Sequence, residues 1–358
     1  MAEITYAEYL RLDEILAAQA PESARHGIDA HDEMLFIVVH QAYELWFKQI
    51  LHELDRIQSD FSVEPLDDWR LGRIVHALGR IREILKLLVQ QLDVLETMEP
   101  QDFLDFRDLL TSSSGFQSLQ FRLIECRLGL DSARRLLFAG TSVHEHLAEG
   151  QRAQLKAAED RPSLLDQLDR WLARTPFVKA GDYVFSRAYR EAVLRMLAGD
   201  RATIAAHERL ADADRAAELR ALEVATQRFR AIFEPDADEG AWQMSAPAVQ
   251  AALFITVYRD RPALHMPFQL LALLMDIDET LTLWRYRHAL MVERMIGVKA
   301  GTGGSSGHAY LRRTAETHRV FRDLFQLSTY LIPRAALPPI PPEIERRMQF
   351  VYAEEAAE

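Results

Sequence analysis

The chain has 358 residues, 49% hydrophobic and 27% charged, with a formal net charge of −12, which is enough apolar content for a large core in one large domain or two ordinary ones. The acidic balance argues against nucleic acid or an anionic membrane surface as the main partner, because either needs a basic face. One cysteine, Cys126, leaves no internal disulfide and no CxxC pair for zinc or covalent heme attachment, and it points to a reducing cytoplasm.

In chain order, residues 1–20 carry acidic side chains throughout and no long apolar core, unlike a signal peptide. No later run approaches the roughly eighteen apolar residues of a membrane span. After a loop at "APESARHGIDA" (20–30), the segment from Asp32 to about Ile57 opens with acidic residues and contains neither Gly nor Pro. It is apolar around most of its circumference at first, which predicts a helix whose early half sits deep. His31, Asp32 and Glu33 are metal-ligand types, but consecutive helical residues diverge by about 100° and cannot converge on one ion. They read as an N-terminal cap. Phe36 and His40, four apart, share a face of this helix. An imidazole there needs a hydrogen-bond partner or a ligand, and a satisfied core histidine is the more ordinary case.

From Leu71 to Leu95, apolar residues recur at Leu71, Ile74, Leu78, Ile81, Leu85, Leu88, Leu92 and Leu95, the spacing of a long bundle helix. In "FLDFRDLLTSSSGFQSLQFR" (103–122), Phe103 and Arg107 share a face and Ser114 and Gly115 lie in the following loop. A guanidinium fork beside an apolar ring suits a carboxylate ligand, while a structural ion pair is the commoner use of such an arginine. The stretch from about 140 to 250, rich in Ala, Arg, Asp and Glu, predicts a helical subdomain with no flexible linker, inside one domain spanning 1–358. His144 and His146 are two apart and would diverge on a helix, so they make no HExxH zinc site.

Strand signals are scarce and no internal repeat is evident, so the fold class is all-α, a long-helix bundle. In "LTLWRYRHALMVERMIG" (281–297), His288 shares a face with Leu281, Trp284, Val292 and Met295. One imidazole in an apolar wall suits an axial heme ligand, although any such histidine taken alone is more often core. The loop "GTGGSSG" (301–307) has four glycines but neither the lysine nor the preceding strand of a phosphate-binding loop. It reads as a lid, with Thr302 able to offer a hydroxyl and a backbone N–H.

Four segments in this order, "HDEMLFIVVHQAYELWFKQI" (31–50), "DFRDLLTSSSGFQSLQFRLIE" (105–125), "LWRYRH" (283–288) and "KAGTGGSSG" (299–307), closely resemble the tryptophan 2,3-dioxygenase family. "ITYAEYLRLDEIL" (4–16) and "YLRRTAETHRVFRDLFQLSTYLIPR" (310–334) are also similar to that family, particularly its animal-type members. The likeness covers most of the chain and is faint only from about 135 to 260.

The resemblance implies a homotetrameric, all-helical, cytoplasmic enzyme with one heme b per subunit, bound between helices. It implies insertion of both atoms of O2 across the indole C2–C3 bond of L-tryptophan, giving N-formyl-L-kynurenine, the first step of the kynurenine pathway. Carried over by position, His288 is the axial iron ligand and His40 the distal histidine facing the indole nitrogen. Phe36 and Phe103 line the substrate pocket, Arg107 binds the substrate carboxylate, and Thr302 meets its ammonium and carboxylate groups. Ser114 and Gly115 form the distal loop. Tyr6, Tyr9 and Leu10 belong to an N-terminal segment that packs into the neighbouring subunit's pocket.

Two positions depart from the family pattern: Phe103 stands where some members have Tyr, and Leu92 where some bacterial members have Trp. Both exchanges are expected to tune affinity rather than chemistry. Two rivals remain at this stage. One is a related heme enzyme acting on another aromatic substrate, against which Arg107 and the glycine-rich loop speak. The other is a non-enzymatic heme sensor or helical interaction protein, which needs no polar clamp opposite the iron.

Overall fold

The computed structural model describes residues 3–110, 115–131, 135–136, 142–233, 242–297 and 307–350. Three long helices, Asp32–Phe61, Asp68–Leu95 and Pro262–Ile296, dominate it. Among the described residues the strands are confined to Lys179–Ala180 and Tyr183–Val184, a minimal antiparallel pair. The all-α reading is therefore what the chain adopts. No helix among the described residues is long and apolar enough to cross a membrane.

Local chemistry sets the ends of these helices. Asp67 accepts a hydrogen bond from the Arg70 amide at 2.8 Å and so caps the Asp68–Leu95 helix. Pro100 then opens the next helix, Pro100–Arg107, at a first-turn position where its missing N–H costs nothing. The Pro262–Ile296 helix stops at Gly297, whose φ of +59° and amide bond to the Glu293 carbonyl at 2.8 Å form a left-handed C-terminal cap. Of residues 31–33, read as a cap of their own helix, Glu33 serves the start of another. Glu33 accepts from the amides of Glu22 (2.8 Å) and Ser23 (2.9 Å), holding the short helix Glu22–Arg25.

Every apolar position of the predicted Leu71–Leu95 stripe is buried, from Leu71 through Ile74, Leu78, Ile81, Leu85, Leu88 and Leu92 to Leu95. The Asp32–Phe61 helix corrects one expectation. Its later half is the deep one, with Ile50, Leu54 and Ile57 fully buried, whereas Met34 and Val38 in the early half are exposed. In the early half one face, with Phe36 and His40, borders a cavity, while Met34 and Val38 lie on the surface.

The chain divides into two compact units. The first comprises residues 1–56, 79–163 and 276–320. Within it, Tyr43 donates to the Leu88 carbonyl (2.6 Å), Gln91 donates to the Val39 carbonyl (3.1 Å), and Arg287 reaches Asp93 (2.7 Å) and Glu96 (2.9 Å). The second comprises residues 57–78, 164–275 and 321–358. Its core gathers Phe185, Tyr189, Phe254 and Tyr258, with the tyrosine hydroxyls donating to the carbonyls of Tyr330 (2.7 Å) and Pro338 (2.6 Å). Asp323 there accepts from the amides of Gln243 and Met244, which satisfies a buried loop end.

Candidate active site

The first unit holds a cavity of about 280 Å³, lined mainly by apolar side chains that include Phe36, Phe47, Leu92, Phe103, Phe121, Met291 and Met295. A few polar groups interrupt this wall, the pattern of a small-molecule site.

His40 enters from the Asp32–Phe61 helix. Its Nδ1 lies 2.7 Å from the Phe36 carbonyl oxygen, and because a carbonyl can only accept, Nδ1 carries the proton. Much of the ring's surface is open because it faces the cavity, yet burial in the surrounding protein lowers its pKa below the ordinary value, opposed by the Phe36 carbonyl. The neutral ring then presents Nε2 as an acceptor. Phe36 packs on it with ring centroids 4.1 Å apart, and Phe103 and Phe106 complete an aromatic cluster at 5.4–5.8 Å. Phe106 is fully buried, so it anchors the rings that reach the cavity.

Arg107, one turn after Phe103 on the Pro100–Arg107 helix, lines the same cavity, as does Gly115. Ser118 begins the helix Leu119–Leu128 by accepting from the Phe121 amide (3.2 Å), and its hydroxyl donates to Glu44 Oε1 (2.6 Å). Gln120 also donates to Glu44, at 2.7 Å. These bonds tie the segment after Gly115 to the helix that carries His40.

His288 enters from the Pro262–Ile296 helix, whose buried stripe runs through Ile277, Leu281, Arg285 and Ala289. Trp284, Val292 and Met295 accompany it along the cavity. Burial pushes its pKa down to about 4, with a smaller contribution from His40. A neutral imidazole in an apolar wall is what an iron-centred macrocycle requires of an axial ligand, since a protonated ring has no lone pair to give. Among the described residues no group of three His, Cys, Asp or Glu side chains could hold a bare metal ion. The donor set thus fits heme: one neutral imidazole nitrogen in a mainly apolar enclosure.

One wall of the cavity was missed by sequence reasoning. Arg122, Glu125, Arg285 and His318 line it, and all four are at least nine-tenths buried. Glu125 takes Arg122 at 2.6 Å and Arg285 at 2.9 Å, and Arg285 also donates to the His318 carbonyl at 3.0 Å. Burial pushes the Glu125 carboxyl up, but the Arg122 guanidinium and its other partners outweigh this and hold it well below the usual carboxylate range. The available signal was an arginine and an acid three apart in the apolar run "QFRLIEC", and a second arginine one turn before His288.

The structure therefore brings Phe36, His40, Phe103, Arg107, Gly115 and His288 to one cavity. Tyr6 and Tyr9 are exposed on the short helix Tyr6–Leu10, Leu10 is half-buried, and none of the three lines it. Ser114 and Thr302 lie outside the described residues. His144, set aside as a zinc ligand, pairs with Glu159 at 3.2 Å.

The family model described as tryptophan 2,3-dioxygenase matches residues 1–331. The chain is 46% identical to a tryptophan 2,3-dioxygenase of Bdellovibrio bacteriovorus over 98% of this chain and 99% of the relative. It is 45% identical to one from Alteromonas mediterranea over 96% of this chain and 97% of the relative. With the protein of that name from Dictyostelium discoideum it shares 43% identity over 98% of this chain and 89% of the relative. The chain belongs to the tryptophan 2,3-dioxygenase family.

Proposed function

We propose that this protein inserts both atoms of one O2 across the indole C2–C3 bond of L-tryptophan. The C2–C3 bond breaks, each carbon takes one oxygen, and N-formyl-L-kynurenine forms with no external electron donor consumed. The observation that carries this reading is the convergence of His40, Arg107 and His288 on one apolar cavity in a member of this family.

His288 would hold heme b, one per subunit, through its neutral imidazole, with the apolar wall enclosing the macrocycle. Heme, when bound, supplies the iron at which dioxygen is activated toward the indole ring. This chain's own residues bind, orient and exclude water. Arg107 takes the substrate carboxylate with its planar fork. Phe36 and Phe103 enclose the indole, and His40 accepts the indole N–H at Nε2 while Nδ1 stays bonded to Phe36. His40 orients more than it abstracts, because burial lowers its pKa and makes it a weak base toward an indole N–H. Holding ring and carboxylate together converts binding into correct alignment at the reacting carbons.

Ser114 and Gly115 are assigned to the distal loop and Thr302 to the ammonium and carboxylate end. Tyr6, Tyr9 and Leu10 are assigned to the pocket of a neighbouring subunit in a homotetramer. Tyr6 and Tyr9 are exposed in the single chain and Leu10 is half-buried, which leaves the two tyrosines available for this. Operation as one catalytic domain and a cytoplasmic location complete the proposal, the latter in keeping with the single cysteine of the chain.

Adding L-tryptophan and O2 to the ferrous, heme-loaded protein and following N-formyl-L-kynurenine by absorbance and mass tests this reading. Product formation is expected. Heme binding without product would favour a sensor, and product from another aromatic amino acid alone would favour the related enzyme.

A further inference from the structure

His40 and His288 sit on different helices, and one pair of side chains ties those helices together beside them. Trp284, one turn before His288, stacks flat on its ring, with centroids 5.1 Å apart and planes within 4°. The indole Nε1 of Trp284 donates to the Tyr43 hydroxyl at 3.3 Å. Tyr43 lies one turn after His40 and donates in turn to the Leu88 carbonyl at 2.6 Å. Its hydroxyl is buried, which pushes the phenol up to about 12, so it remains protonated and able to donate across the working range.

We propose that Trp284, anchored by Tyr43, is the positioning residue that sets the plane of the His288 imidazole. A metal-bound histidine usually has its ring orientation fixed by a hydrogen bond from its second nitrogen. Here the ring contact that fixes it is the face of Trp284. A rotation of the imidazole about its Cβ–Cγ bond would break the coplanar stack, and a rotation of Trp284 would break its bond to Tyr43. The chain Leu88–Tyr43–Trp284–His288 therefore holds one ring angle. Offset aromatic stacking supplies a preference of the required kind without changing the charge of the ligand. This inference rests on the assignment of His288 as the iron ligand.

Resonance Raman of the iron–histidine stretch in the ferrous holoprotein, with electron paramagnetic resonance of the ferric form, tests it. The wild-type protein should give one narrow iron–histidine band. Trp284→Leu should broaden or shift that band, change the rhombicity, and speed heme transfer to apomyoglobin by roughly two- to tenfold, the scale of one lost ring contact or neutral hydrogen bond. Trp284→Phe and Tyr43→Phe keep the ring or the hydrophobic bulk but cut the anchor. Each should broaden the band, and the double variant should broaden it no further than either single one. Should Trp284→Leu fail to take up heme, these two milder variants decide the matter. An unchanged band in both, or in heme-loaded Trp284→Leu, would overturn the role of Trp284 while leaving the iron ligand intact. Absence of any iron–histidine band in the wild-type holoprotein would instead remove His288 as the ligand, and this inference with it.

Discussion

Nδ1 of His40 donates to the carbonyl oxygen of Phe36, one turn earlier on the same helix, across 2.7 Å. That bond commits the ring to one tautomer and leaves Nε2 as the acceptor of a residue that lines the cavity. With its basicity lowered by burial, His40 accepts a hydrogen bond and holds an orientation.

His40→Ala should accordingly lower kcat/KM for L-tryptophan by about two- to tenfold, the worth of one neutral hydrogen bond of roughly 0.5–1.5 kcal/mol, with heme content unchanged. For 1-methyl-L-tryptophan, which has no indole N–H, the gap between wild type and variant should shrink. Steady-state kinetics on both substrates checks this. Complete loss of turnover in the heme-loaded variant would assign His40 an obligatory proton transfer instead.

Arg107→Leu should raise KM for L-tryptophan by roughly ten- to a hundredfold, as expected for one charge-assisted bond of about 1.5–3 kcal/mol. Binding of tryptamine, which lacks the carboxylate, should hardly change. Equal losses for both ligands would mean that Arg107 supports the pocket structurally rather than reading the carboxylate.

Burial holds His288 neutral, with its pKa lowered from 6.5 to about 4. In the unfolded chain the ring protonates near 6.5, so this group's contribution to stability is intact above that pH and is lost as pH falls toward 4. Burial lowers His40 in the same direction. Denaturant titrations of the apoprotein between pH 7 and 4 should show falling stability, and His288→Gln should flatten that slope. An identical slope in the variant would show that the acid sensitivity arises elsewhere.

Glu125 binds Arg122 and Arg285 in a buried wall. Glu125→Leu should destabilise the fold by about 3–5 kcal/mol, because it leaves buried guanidinium groups without their counter-charge. Combining it with Arg285→Met should recover part of the loss. Chemical denaturation of the single and double variants measures the coupling, and strict additivity would mean that the two residues do not act as a pair.

The features legible in the sequence were those that depend on one segment at a time. The Leu71–Leu95 stripe was readable because each position faces the interior at helical spacing. His40, Arg107 and His288 stood out as polar groups on apolar faces, and the family resemblance gave them roles. The depth of residues 32–40 was misjudged, since an apolar face looks the same in sequence whether it meets core, cavity or the outside. The Arg122–Glu125–Arg285 wall and the Tyr43–Trp284 bond were not legible. Arg122 and Glu125 are three apart, but Glu125–Arg285 and Tyr43–Trp284 join side chains more than a hundred and fifty positions apart, and no periodicity reports which helix lies beside which.

The most direct test is to reconstitute purified wild-type and His288→Ala protein with heme b, record the visible spectrum, and assay each with L-tryptophan and O2. The wild-type protein should show the Soret band of a histidine-ligated heme and form N-formyl-L-kynurenine, while His288→Ala should lose stable heme and activity together. Full activity in heme-loaded His288→Ala would contradict the assignment of His288 as the residue that holds the iron.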